Sequence, residues 1–451
     1  MLSKEELFQT LSNFLDSGPK KEWRAGKDYV QYAGPFFDNN EILRAVNTLL
    51  DGWLVLGAEA YKAEKKLASM FDKKFGLLTN SGSSSNLLMM SALKSKRFTD
   101  FPEGTKVLTP IAGFPTTVNP IFQCNFKPVF VDITLDGLNL DIDCVRAALE
   151  NDPEIKIITF AHVLGNPPNM DDLMLLIKEY ELILLEDCCD ALGSTYDDKP
   201  LGSFGMMASC SFYPAHHITC GEGGLVVCNN ENLERVIRSF RDWGRGCFCH
   251  GKQNLSACGA CGTRFSEWLP SMPGEVFDHK YVYEEVGFNL KPIEMQASML
   301  LAQLDKFSTI SELRKRNYKL LFEVFEQYEE YFHLPRAEKK ADVNWFAFPI
   351  TIKKNAPFSR SEFCQFLESR KIQTRPYFAG NILMQPAYSH LIGDLKLKDF
   401  PVANFVTTNT FFLGTSPVIT PEQIAYISEI VQEFMRNKLW KLHMLQDVWV
   451  S

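Results

Sequence analysis

The sequence predicts an α/β protein with one large and one smaller domain. Strand-like runs alternate with helical patterns from about residue 75 to 230, the signature of a sheet covered by helices on both faces. The length of 451 residues exceeds that of a usual single domain. A charged helical stretch after residue 300 then leads into a further short strand and helix, which suggests a second, smaller α/β unit.

Strands are expected at Lys106 to Thr109, Pro128 to Ile133, Lys156 to Val163, Leu182 to Glu186, Ser209 to Tyr213 and Leu225 to Cys228. Helical patterns between them include Asn86 to Leu93 and Met170 to Tyr180. Met299 to Tyr328 reads as one long helical stretch, followed by the apolar run FAFPITI at 346–352 and a helix at Arg360 to Arg370. The large domain is therefore assigned to residues 1–305, with an N-terminal helix and a cysteine-rich loop at about 244–265. The small domain is assigned to 306–437. Residues 438–451 continue past the last amphipathic helix and read as a surface-packed end.

Composition narrows the function classes. With 45% hydrophobic and 23% charged residues the chain can bury a large core. The net charge of −8 is spread along it, and no basic stripe suggests a nucleic-acid footprint. No apolar run approaches the ~18 residues of a membrane span, and the polar start does not read as a secretory signal. A cytoplasmic protein acting on small molecules is expected. Twelve cysteines without an export signal read as core thiols, metal ligands or redox groups rather than disulfides.

Three segments carry chemistry. In TNSGSSSNLLMM (79–90), small hydroxylated residues and Gly82 lead straight into a helix, where backbone N–H groups and the helix dipole favour an anion and Ser83 offers a hydroxyl. Taken alone, the turn reads more readily as a serine N-cap than as an anion site. In LILLEDCCDALGS, an apolar strand ends in Glu186, Asp187 and Asp190, at the edge where open α/β sheets bind ligands. Asp187 can pair with the ring nitrogen of a pyridoxal-type cofactor; it can also be a solvated loop acid. The third segment is SFYPAHHITCGEGG (211–224), with His216 and His217 before a glycine turn.

Together these segments resemble the sugar aminotransferase (DegT/DnrJ/EryC/StrS) family, and the likeness runs through most of residues 30 to 435. The resemblance implies a fold-type-I PLP-dependent transferase, with a large mixed-sheet α/β/α cofactor domain and a smaller C-terminal α/β domain. It implies that Gly82, Ser83 and Ser211 hold the cofactor phosphate, that Phe114 covers the ring and that Asp187 binds the ring nitrogen. Asn289, in EEVGFNLKP, is similar to the residue that family members offer to the neighbouring subunit's cofactor phosphate, which implies a homodimer. The family's usual lysine is replaced here by His216. Histidine cannot link covalently to the cofactor but can act as a general base near neutral pH. The cofactor is therefore expected as pyridoxamine 5′-phosphate. Its imine with a sugar C4 ketone would lose a C4′ proton to His216 and then expel the C3 hydroxyl. His217 is expected in a supporting structural role.

The cysteines extend the likeness. Cys189 and Cys247 are separated by 57 residues and Cys247 and Cys249 by one, an arrangement that resembles the iron–sulfur 3-dehydratases of nucleotide-linked 4-keto-6-deoxyhexoses, best known on CDP sugars. DWGR, CGTRF, DHKYVY and GFNLKP also match that group. Its fourth ligand lies seven residues after the third; here eight residues separate Cys249 from Cys258 and eleven separate it from Cys261. Alignment of CGTRF favours Cys261. The implied ligands of a cluster, of the [2Fe-2S] type by likeness, are then Cys189, Cys247, Cys249 and Cys261, with structural zinc as the alternative. Such a cluster would relay electrons from a separate iron–sulfur flavoprotein reductase, ferredoxin or flavodoxin. A plain aminotransferase would need lysine at 216. A glutamate-regenerated dehydratase would not need the cysteines, and an iron–sulfur sensor would consume no sugar. No segment fixes the nucleotide, although the CDP form is favoured by likeness, and TRPYFAGN (374–381) borders the sugar by likeness alone.

Overall fold

Short apolar strands alternating with capped helices assemble into the expected layers in this computed structural model, which describes residues 3–18, 22–247 and 264–449, with side chains to residue 440. The large sheet contains β1 (Phe75–Thr79), β2 (Lys106–Pro110), β3 (Lys127–Val131), β4 (Ile155–Ala161), β5 (Ile183–Asp187), β6 (Met207–Ser211) and β7 (Gly224–Cys228), in the order β1-β7-β6-β5-β4-β2-β3. β7 is antiparallel to both β1 and β6, while the strands from β6 to β3 are parallel. Six strands consequently run the same way, and their C-terminal ends share one edge. Alternation of side chains splits the core in two. Leu77, Val107, Leu185 and Val226 pack on one face, and Leu78, Leu108, Leu184 and Leu225 on the other.

Helices α1 (Lys4–Ser17), α2 (Asn39–Asp51) and α3 (Ala58–Met70) precede the sheet. Helices α4 (Gly82–Ala92), α5 (Pro115–Gln123), α6 (Ile142–Asn151), α7 (Met170–Glu179) and α8 (Glu231–Arg241) accompany its strands. A second sheet, in the order β8-β9-β11-β10, is formed by β8 (Phe332–His333), β9 (Ala347–Ile352), β10 (Arg375–Pro376) and β11 (Thr410–Gly414). Phe325, Phe348, Phe363 and Phe434 anchor its core, which Val30 joins through a bridge to Ile372.

The single helical stretch expected over 299–328 is instead two helices, α9 (Glu294–Asp305) and α10 (Phe307–Glu326). The break is at Lys306 (φ −114°, ψ 14°), whose Nζ lies 2.8 Å from Asp38 Oδ2 and 2.7 Å from the buried Glu41 Oε1. These partners lie far away in sequence, so local periodicity could not reveal the break. The strand expected to reach Val163 stops at Ala161, because Val163–Gly165 form a 3-10 turn with Leu164 at φ 57°. The strand expected over 209–213 ends at Ser211, where the chain leaves the sheet. After α11 (Arg360–Ser369) and α12 (Pro401–Asn409), α13 runs from Pro421 to Trp449, so residues expected to lie past the last helix continue it. No helix among the described residues is long and apolar enough to cross a membrane.

Candidate active site

The shared edge of the strand ends opens into a cavity of about 540 Å³ between the two sheets. Its wall includes Gly82, Ser83, Phe114, Asp187, Cys189, Ser211 and His216, so the cavity gathers seven of the residues assigned to a site in the sequence. The turn after β1 forms one end. Ser81 caps α4 by accepting the Ser84 N–H at 3.1 Å, while the Ser83 hydroxyl donates to Thr116 Oγ1 at 3.0 Å. The N–H groups of Gly82 and Ser83 have no acceptor among the described residues, and they stand at the positive end of the helix. A phosphate fits there. Gly82 is required by packing, since a Cβ would lie 2.5 Å from Ser211 Cβ and 2.7 Å from Cys189 Sγ. Gly82→Ala is expected to lower stability by about 1–3 kcal/mol through overpacking, measured as a fall in thermal midpoint.

Asp187 ends β5 and is buried. Its Oδ2 accepts from Asn86 Nδ2 and Thr117 Oγ1, both at 2.7 Å, and its Oδ1 from the Cys189 N–H at 3.0 Å and Ser209 Oγ at 3.3 Å. Donors on α4, α5, β6 and the following loop thus fix the carboxylate at the cavity wall. Glu186 takes the opposite face, as strand alternation requires. There it accepts from His162 Nε2 at 3.0 Å and from the N–H groups of Gly202 at 2.8 Å and Gly205 at 2.5 Å.

His216 also lines the cavity. Its ring packs on Phe346, with centroids 5.3 Å apart, and its Nδ1 is 3.5 Å from Asp190 Oδ1. That distance is long for a hydrogen bond but within reach of tightening on ligand binding. Its backbone is held from α10: Arg314, fully buried, donates through Nη2 to the His216 carbonyl at 2.9 Å and through Nη1 to the Phe346 carbonyl at 3.0 Å. Burial draws the Arg314 pKa down to about 9. His217 points away from the cavity and donates from Nε2 to the Asn344 carbonyl at 2.7 Å. Burial first, and then the Arg314 charge, hold His217 well below the usual histidine range. It therefore stays neutral when folded but protonates when unfolded below its ordinary pKa of about 6.5, so stability falls as pH drops through that value. Each pH unit below it is expected to cost about 1.4 kcal/mol until the folded pKa is reached. Denaturant unfolding from pH 7 to 5 would show the loss, and His217→Gln should flatten that part of the profile.

Cys189 is also in the cavity wall, and burial followed by the Asp187 charge pushes its thiol well above the usual range. Cys247 is half-buried and stands apart from the cavity lining, at the end of a stem whose Gly246 N–H donates to the Val282 carbonyl at 2.9 Å. Cys249, Cys258 and Cys261 lie outside the described residues. Asn289 is exposed, bridged to Asp242, and likewise absent from the wall. The sequence reading missed Asn86 and Thr117 as supports of Asp187, Arg314 behind His216, and Tyr32, Phe346 and Phe412 of the aromatic wall, whereas Phe378 lies in TRPYFAGN, the segment expected to border the sugar. Phe346 and Phe412 sit in or beside apolar strands that carry only a core signal, and nothing local marks Tyr32 or Arg314.

Comparisons with known proteins agree with this fold. The sequence profile of the DegT/DnrJ/EryC1/StrS aminotransferase family matches residues 37–432. The lipopolysaccharide biosynthesis protein RfbH of Salmonella typhimurium is 39% identical over 439 residues, covering 96% of this chain and 98% of its own. The dTDP-4-dehydro-2,6-dideoxy-D-glucose 3-dehydratase of Saccharopolyspora spinosa is 38% identical, covering 96% and 92%. A solved GDP-4-keto-6-deoxymannose-3-dehydratase with a trapped PLP-glutamate geminal diamine superposes with a TM-score of 0.75 at 26% identity, covering 89% of this chain and 99% of its own. The mixed seven-stranded sheet, the cavity at its strand ends and the match over most of the length lead to one conclusion: the chain is a fold-type-I enzyme of the DegT/DnrJ/EryC1/StrS aminotransferase family.

Proposed function

We propose that this enzyme removes the C3 hydroxyl of a nucleotide-linked 4-keto-6-deoxyhexose, with pyridoxamine 5′-phosphate as cofactor and His216 as the base. The observation that carries the reading is a histidine, not a lysine, in the cavity that also contains the phosphate turn and the buried Asp187. When bound, the cofactor would supply an amine for the C4 ketone and a ring that delocalises the electron pair freed by loss of the C4′ proton, the pair that drives out the C3 hydroxyl. The chain's residues do the rest. The free N–H groups of Gly82 and Ser83, with the Ser211 hydroxyl, hold the phosphate. Asp187 accepts from the ring nitrogen, and Phe114 covers the ring. Asp190 orients His216 through Nδ1, leaving Nε2 to take the proton from the cofactor's C4′ atom. Tyr32, Phe346, Phe378 and Phe412 keep water from the reacting carbons.

The proposal extends to an iron–sulfur cluster, with Cys189, Cys247, Cys249 and Cys261 as ligands and two irons as the expected form. It would supply electrons from a separate reductase, ferredoxin or flavodoxin, yielding a 3,6-dideoxy sugar. Support comes from the cysteine spacing and from the position of Cys189 beside the phosphate turn. Iron and acid-labile sulfide in anaerobically reconstituted protein should appear in equal amounts and be lost in Cys249→Ser. The CDP form of the substrate is favoured by likeness. A homodimer, with Asn289 reaching the partner's cofactor phosphate, is supported by an exposed apolar group of Leu54, Val55 and Ile293, brought together where the Glu294 N–H donates to the Leu54 carbonyl at 3.1 Å.

The second reading is a dehydratase without a cluster, its cofactor regenerated by glutamate. The relative with the trapped glutamate adduct favours it. Anaerobic incubation with pyridoxamine phosphate and a CDP-4-keto-6-deoxyhexose separates the two: turnover that needs a reductase supports the first, and turnover sustained by glutamate alone supports the second. No loss of the C3 hydroxyl with any nucleotide form would sink both.

A further inference from the structure

The cavity wall contains a cationic group to which the proposed function gives no role. Its acidic residues are Asp187, Asp190 and Glu222; against them, Arg375 is the one lysine or arginine among the described lining residues. Arg375 comes from β10 of the second sheet, paired with Phe412, whereas the phosphate turn belongs to the first sheet. Its Nη1 donates to the Thr374 carbonyl at 2.7 Å, and the guanidinium carbon lies 4.3 Å from the centroid of the Tyr32 ring. Tyr32 is itself braced on Phe412, 6.2 Å away. The remaining guanidinium N–H groups have no acceptor among the described residues, and no carboxylate pairs with this cation. Stacking thus holds a planar fork in place with donors to spare, the geometry that suits a phosphate oxygen pair.

We infer that Arg375, braced on Tyr32, binds the diphosphate of the substrate and selects a nucleotide-linked sugar over a free one; this rests on the function proposed above. The diphosphate is attached at C1, across the sugar ring from the reacting C4. With C4 at the cofactor beside His216, the second anion must emerge on the side of the cavity away from the phosphate turn, and Arg375 is the cation available to receive it. The ring of Tyr32 fixes the fork, so the site is formed before substrate arrives and little ordering is needed on binding.

The test uses holoenzyme loaded with pyridoxamine phosphate. Calorimetry with CDP, UDP, GDP and dTDP is run on the native protein, Arg375→Gln, Arg375→Lys and Tyr32→Leu, with cofactor absorbance as the control for an intact site. Arg375→Gln is expected to weaken nucleoside diphosphate binding roughly 10–100-fold, with partial recovery in Arg375→Lys. The KM for keto sugar should rise by a similar factor, while kcat at saturation falls much less. Tyr32→Leu should weaken binding by a smaller factor. Unchanged nucleoside diphosphate affinity in Arg375→Gln with normal cofactor absorbance overturns the inference. So does native protein that binds none of the four nucleotides, or loss of cofactor in both Arg375 variants. Loss of glutamate-driven cofactor amination, with nucleotide binding intact, would assign Arg375 to a carboxylate and also overturn it. Nucleotide binding that depends on Arg375, without turnover of any keto sugar, leaves the anion site standing and removes only the proposed reaction.

Discussion

His216→Asn is expected to lower the rate of C3 hydroxyl loss by roughly 10²–10⁴-fold, the usual contribution of a positioned general base. Cofactor affinity should change little, because the phosphate turn, Asp187 and Phe114 are contributed by other segments. His217 cannot substitute for it: it is buried, its Nε2 is committed to the Asn344 carbonyl, and its environment disfavours protonation. His216→Lys separates the base role from a packing role. Lysine at this position should attach covalently to pyridoxal phosphate, giving a Schiff-base absorbance, and should abolish dehydration. Asp190→Asn tests the orienting step, with an expected loss smaller than that of His216→Asn and a shifted pH–rate profile. Single-turnover assays with cofactor-loaded protein measure all three. Dehydration retained in His216→Asn would move the proton transfer to another cavity residue, and Tyr213 and Glu222 are the candidates in the wall.

The parts of the site visible in sequence share one property: each lies at a strand end and carries its signal within a few residues. The serine turn follows β1, the acids end β5, and the histidine pair follows β6. Strand alternation even separates Asp187, facing the cavity, from Glu186, facing the opposite core. The supports were not visible because they come from distant segments. Asn86 and Thr117 lie 101 and 70 residues from Asp187, and Arg314 lies 98 residues from His216. Nothing in the sequence around Arg314 distinguishes it from the exposed Lys315 and Lys319 of the same helix. Phe378 lies in the TRPYFAGN segment expected to border the sugar, but its contact with Phe114 was not legible. It adopts φ 42°, uncommon for a bulky residue, and packs edge-on to Phe114 at 5.8 Å. That contact depends on β10 of the second sheet meeting the loop after β2, a juxtaposition set by tertiary packing.

Asp187→Asn should produce the second large effect, and its two components can be measured separately. The first is chemical. An amide cannot offer the ring nitrogen the full negative charge that strengthens the electron sink, so the rate is expected to fall roughly 10²–10³-fold, as when one preorganised electrostatic contact is removed. The second is structural. Both carboxylate oxygens accept from donors, so whichever way the new amide turns, its NH2 faces an N–H or a hydroxyl. Leaving such a buried group mismatched is expected to cost about 1–3 kcal/mol of stability. Thr117→Val separates the two, because it removes one donor and leaves the charge. Its stability loss should approach that of Asp187→Asn, while its rate should fall far less. Equal rate losses in the two variants would assign Asp187 to the architecture of the strand ends and leave the ring nitrogen without its acid. A rate within about threefold of native in Asp187→Asn would contradict the proposed cofactor orientation itself, since in that orientation no other described carboxylate is held by donors from so many elements at the cavity wall.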